Sequence, residues 1–71
     1  MITTELTLGI KLKVLRLTKK MDLKTVSQKS GISVVELSNL ENDKHKPQTA
    51  TIKKLAKAFD YDYNQLYDYL Y

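Results

Sequence analysis

Between two amphipathic stretches the chain reads KSGISVVE, from Lys29 to Glu36, and these eight residues limit the fold more than any others. Glycine readily takes the left-handed conformation that closes a helix, and a serine followed three residues later by glutamate is the capping box that opens one. Gly31 and Ser33 stand two residues apart, so one helix must end and the next begin across a tight turn. The two helices then lie at an angle, and each needs an apolar stripe to bury against a common core.

The rest of the chain supplies that core from further helices. Leu8, Leu12 and Leu15 recur at i, i+4 and i+7 behind Thr7 as N-cap, which predicts a first helix over 8–20. Asp22 is the natural cap of a second helix over 23–30, and Leu37 and Leu40 give an apolar face to a third over 33–41. Beyond Pro47, the period of Ile52, Leu55, Ala56 and Phe59 marks a fourth helix over 49–59. Asp62 and Gln65 repeat the capping pattern before a fifth over 63–70, from which Leu66, Tyr67 and Leu70 can face inward. Residues 1–7 are read as an N-terminal arm, and only residues 1–4 are left for a strand. The expectation is a single all-α domain over 1–71, a compact five-helix bundle. A domain of this size buries only about 60% of the surface its unfolded chain exposes, so the core must be economical.

Composition removes several classes. With no cysteine there is neither a disulfide framework nor a thiolate metal site, and a reducing, cytoplasmic setting is expected. No apolar run approaches the roughly 20 residues that span a bilayer, and MITTELTLGI lacks the basic start and small-residue cleavage site of a signal peptide, so no membrane association and no processing are expected. All twelve Lys and Arg lie between Lys11 and Lys57; with five acids in residues 1–59 that body carries +7, whereas Asp60 to Tyr71 holds three Asp and no base. Any one lysine is as well explained by a solvated helix face. Together they make a field that attracts polyanions.

Helix two, the Gly-Ile-Ser turn and helix three have the spacing of a helix-turn-helix, whose second helix enters the major groove of DNA. Around that unit the segments LGIKLKVLR, LKTVSQKSGIS, ELSNLEN, KHKP and TIKKLAKAF follow in an order that resembles the lambda repressor and Cro-like family, also called the XRE family. The resemblance runs from about Leu8 to Leu70. It implies a five-helix bundle that binds double-stranded DNA, usually as a symmetric homodimer on a palindromic operator.

Site residues carry over one at a time. Arg16 and Glu41 match positions that pair in this family and would tie helix one to the end of helix three. Lys44, His45 and Lys46 fall in the loop where the family touches phosphate, and the backbone N–H groups near Asn42 can serve the same end. Lys24 in the first turn of helix two and Ser33 at the head of helix three complete the phosphate candidates. His45 is the only histidine, which makes a metal site a poor reading. No cofactor is implied.

The base-reading face departs from the family. Where the first residue of helix two is often a glutamine that anchors phosphate, this chain has Leu23. Val34 and Val35 cannot hydrogen-bond to base edges, although a valine can pack against a thymine methyl; Ser38 and Asn39 are the polar readers that remain. Glu36 can accept from a cytosine amine, but its capping role explains it without DNA. Readout is therefore expected to be weak or thymine-biased. Alternatively, Leu23, Val34 and Val35 form a small exposed apolar patch that binds a protein.

Two further surfaces invite a partner. Ile10, Val14 and Leu17 fall at helical spacing opposite Leu8, Leu12 and Leu15, and Ile2 and Leu6 would extend the stripe. All five tyrosines lie in the last eleven residues; Tyr63 and Tyr67 can complete the core, whereas Tyr69 and Tyr71 are harder to place inside. The function expected is a DNA-binding transcriptional regulator of phage or bacterial repressor type. The alternative is a helix-turn-helix scaffold acting by protein contact, as an antirepressor or inhibitor. No pairing of nucleophile and base, metal cluster or phosphate-cradling loop points to an enzyme.

Overall fold

Thr7, Asp22, Ser33, Gln48 and Asp62 each stand in an extended conformation immediately before a helix, and they divide the chain into five helices. The structure, a computed structural model, describes residues 6–71. The strand option at residues 1–4, Ile2 of the helix-one stripe and most of the expected arm lie outside the described residues.

The first helix, α1, is Leu8–Thr18, opened by the Thr7 hydroxyl, which accepts from the Ile10 N–H at 3.1 Å. It stops two residues short of the expected end. Lys20 takes φ 57, and the N–H groups of Lys20 and Met21 close back on the carbonyls of Leu17 and Arg16. Such paired closing bonds occupy the last orphan carbonyls and turn the chain away. Helix α2, Leu23–Ser30, is capped by Asp22, which accepts from the Thr25 N–H at 2.7 Å, and it ends at Gly31 with φ 78.

Helix α3 is Val34–Glu41, with Ser33 outside it as N-cap accepting from the Glu36 N–H at 3.1 Å. The expected capping box is only half formed. Glu36 does not return a bond to the Ser33 N–H; its carboxylate lies 3.2 Å from Nε2 of His45, a contact that the local pattern does not contain. Helix α4, Thr49–Phe59, closes on Asp60 at φ 61, and α5, Tyr63–Leu70, opens with the Gln65 side chain accepting from the Asp62 N–H at 2.9 Å.

Packing joins α1 to α3 and α5, α2 to α3 and α4, and α4 to α5. Phe59, Leu40, Leu55, Leu66 and Val26 are the largest fully enclosed side chains, and Leu12, Leu15, Ile32, Leu37, Ile52 and Leu70 complete the core around them. Burying each large apolar side chain contributes about 1.5–3 kcal/mol, which is what stabilises helices too short to persist alone. The radius of gyration, 11.6 Å, is close to the ~11 Å of a compact chain of this length.

Tyr67 does not join the core. It is 43% exposed, because Leu66 and Leu70, four residues apart, hold the inward face and the next position is turned about 100° away. Its ring stacks instead between Tyr63, 5.8 Å distant, and Tyr71, 4.7 Å distant. Only Tyr63 of this trio packs against the core.

Candidate nucleic-acid interface

With Leu37 and Leu40 buried, α3 must turn its other side outward. Val34 and Val35 are 41% and 71% exposed, and Ser38 and Asn39 are half-buried on the same helix. None of the four is enclosed by the protein. Leu23 is not a free member of this face: it is half-buried and packs against the core. The apolar patch available to a partner is thus limited to the two valines.

The far end of α3 is fixed to α1 by three features. Arg16 Nε donates to Glu41 Oε2 at 2.7 Å and Nη2 donates to Oε1 at 3.0 Å, while Nη1 donates to the Met21 carbonyl at 3.0 Å. Both charged side chains are only 10% exposed. The Glu41 hydrogen bond, against the opposing effect of burial, holds the Arg16 guanidinium above its ordinary pKa, so its charge is permanent. Gly9 provides the second feature: a Cβ there would lie 2.5 Å from the Leu40 carbonyl oxygen and 2.6 Å from that of Glu41, so the close crossing of α1 and α3 requires its absence. Asp43 provides the third, by accepting from the Gly9 N–H at 2.8 Å and from the Thr7 hydroxyl.

Beyond α3, residues 42–46 are exposed and Pro47 is buried. Lys44 and Lys46 enter no salt bridge among the described residues. His45 is tied to Glu36, so the loop reaches back to the first turn of α3, where Ser33 also bonds the Glu36 backbone. The expectation that backbone N–H groups near Asn42 face phosphate is not met. Those of Asn42, Asp43 and Lys44 donate to the carbonyls of Ser38, Leu40 and Asn39, closing the helix end. The Asn42 amide likewise reaches the Ser38 carbonyl at 2.9 Å and hydroxyl at 3.3 Å. What the loop offers an anion is side chains, above all the ammonium groups of Lys44 and Lys46, exposed and unpaired among the described residues. Lys24 and Ser33 are exposed as well.

Residues 12–66, well over half of the chain, match the helix-turn-helix family model. The chain belongs to the lambda repressor and Cro-like helix-turn-helix family. As a helix-turn-helix protein of this kind it is a DNA-binding regulator, in a family that is generally non-enzymatic. No curated protein matches it in sequence. In this helix-turn-helix chain α2 and α3 are the paired helices, and Arg16–Glu41 brace the second of them from behind. Among the described residues, no helix is long and apolar enough to cross a membrane.

The candidate partner surfaces lie on α1 and α5. Val14 and Leu17 are 42% and 55% exposed, while Ile10 is half-buried and contributes less to the stripe than its spacing suggests. Tyr69 and Tyr71 are both exposed, yet the Tyr69 hydroxyl donates to the Lys11 carbonyl at 3.1 Å. Beside them a cleft of about 340 Å³ opens between α1 and α5, lined by Leu15, Thr18, Tyr61, Gln65 and Tyr69. Asp43 and Gly9 escaped the sequence reading, because their partners lie more than thirty residues away in the chain.

Proposed function

We propose that this helix-turn-helix protein is a transcriptional regulator of repressor type that works in the cytoplasm as a homodimer on a two-fold operator. Each copy places α3 in the major groove, the two copies about one helical turn apart. Val34 and Val35 pack on thymine methyls, and Ser38 and Asn39 bond to base edges. Lys24, Ser33, Lys44, His45 and Lys46 meet phosphate, with the two loop lysines supplying most of the counterion release.

The observation that carries this reading is one of placement. The exposed outer side of α3 continues directly into an exposed loop whose two lysines have no acidic partner among the described residues. The homodimer draws its support from the exposed apolar residues Val14, Leu17 and Tyr71, a reading that sedimentation at high micromolar concentration tests directly.

A selection from random-sequence duplexes tests the whole reading. It should return a two-fold motif rich in A·T pairs. A random pool with no enrichment would overturn sequence-specific regulation and favour the second reading, a scaffold that binds a protein through Val34 and Val35, for which the 71% exposure of Val35 speaks.

A further inference from the structure

Asp43 sits beside the loop that faces phosphate, and an acid there opposes the approach of DNA. The position it occupies is demanding. Its φ of 58 lies in the left-handed region, and its carboxylate turns back across the molecule to the first turn of α1. There Oδ1 accepts from the Gly9 N–H at 2.8 Å and Oδ2 accepts from the Thr7 hydroxyl. A helix N-terminus has backbone donors without internal partners and a partial positive charge, so a carboxylate is well matched to it. Lys44, His45 and Lys46 follow immediately. The other end of this short loop is held by His45 against Glu36 at 3.2 Å and by the buried Pro47.

We propose that Asp43 is a positioning residue for DNA binding: latched to Thr7 and Gly9, it fixes the Lys44–Lys46 loop in the conformation that meets phosphate. A loop ordered beforehand loses little conformational freedom on contact, whereas a loose one must be ordered at the expense of affinity. The inference rests on the DNA-binding reading above and assigns it a residue that charge alone would count against it. Simple repulsion requires that removing this carboxylate strengthen binding. The latch requires the reverse.

Two variants separate these signs. Asp43→Gly adopts φ 58 without strain but loses the latch; Asp43→Asn tolerates the same backbone, loses the charge and keeps an oxygen for the Gly9 N–H. Binding is measured by fluorescence anisotropy on a mixed-sequence duplex at low salt, where phosphate contacts dominate, with thermal melting to confirm that each variant is folded. Asp43→Gly should bind roughly tenfold more weakly, the penalty of ordering about one backbone residue, while Asp43→Asn should bind as tightly as wild type or more tightly. Backbone 15N relaxation of the free protein should show Lys44–Lys46 loosened in Asp43→Gly and not in Asp43→Asn. Equal or tighter binding by folded Asp43→Gly, or an unchanged loop, overturns the latch and leaves the DNA-binding reading standing. A wild-type protein that binds no duplex overturns that reading and the role of Asp43 with it.

Discussion

Arg16 and Glu41 meet side by side, through two parallel N–H···O bonds of 2.7 and 3.0 Å, and lock the last turn of α1 to the last residue of α3. The guanidinium also satisfies the Met21 carbonyl where the chain leaves α1. One buried cation therefore orients the recognition helix and the approach to its partner helix together. Such a pair is weak evidence of net stability, because taking two charges out of water offsets much of their attraction. Its strength lies in geometry: planar guanidinium and planar carboxylate meet in few other arrangements.

Removing one partner strands the other. Arg16→Met should lower unfolding free energy by roughly 3–5 kcal/mol, while the double variant Arg16→Met, Glu41→Leu should recover much of that loss. Urea unfolding of the three proteins checks this. A double variant no better than the single one would mean that the pair matters for something other than compensating buried charge.

The two glycines should fail for different reasons. Gly9→Ala forces a methyl group to within 2.5 Å of the Leu40 carbonyl oxygen and must push α1 away from α3, at a cost of about 1–3 kcal/mol. Gly31→Ala meets open space but holds alanine at φ 78, which costs about 1–2 kcal/mol. Chemical-shift changes should spread through the α1–α3 contact in the first variant and remain near the turn in the second.

Acid should expose the cap of α2. Hydrogen bonding from Thr25 holds the Asp22 carboxyl below the usual carboxylate range, so its folded-state pKa lies under the unfolded value of about 3.9. A depressed acid contributes stability above the unfolded pKa and loses that contribution as pH falls through the folded one. Wild type should therefore be more stable than Asp22→Asn at neutral pH, and the gap should begin to narrow as pH falls below about 3.9 and close once pH is below the lowered folded-state value. Parallel urea titrations at pH 7 and in strong acid measure the difference, and a gap that persists in acid would contradict it.

Salt should report the loop lysines. Lys44→Ala and Lys46→Ala should each weaken binding to any duplex and each lower the slope of log affinity against log salt by about 1. The weakening should be uniform across sequences, since phosphate carries no sequence information. Slopes equal to wild type would remove these two residues from the interface.

Base preference should follow Asn39 and Val35. Asn39→Ala should cost about 1–3 kcal/mol on a selected site and relax the preference at one base pair. Val35→Ala should matter chiefly where a thymine methyl faces it, so replacing that thymine with uracil should cost the wild-type protein affinity and leave Val35→Ala unaffected. Identical responses in the two proteins would place Val35 away from the groove.

Most of the helical plan could be read in the chain because its signals are local. Thr7, Asp22, Ser33 and the Asp62–Gln65 pair act on donors within three residues of themselves, and Gly31 needs no partner to adopt φ 78. The end of α1, which has no glycine, was harder to see: it falls at Thr18, not at residue 20. Lys20, Asp43 and Asp60 turn the chain at φ 57, 58 and 61, a conformation that their side chains do not announce. Spacing drew Tyr67 inward, and the family's position for a phosphate-anchoring glutamine left Leu23 exposed, although Tyr67 is exposed and Leu23 packs on the core.

Caps, periodicity and the two-residue step from Gly31 to Ser33 are short-range, so the amino-acid order alone determined that this protein is a helical bundle with one helix turned outward after a tight turn. Which polar side chains would find each other was settled only when the helices packed. Glu36 stands three residues from Ser33 in sequence yet its carboxylate reaches His45, and Asp43 crosses to Thr7 and Gly9 at the start of α1. The reason is physical: a cap acts across one turn of backbone, whereas an ion pair or a carboxylate latch exists only where burial of the core has already brought distant segments together.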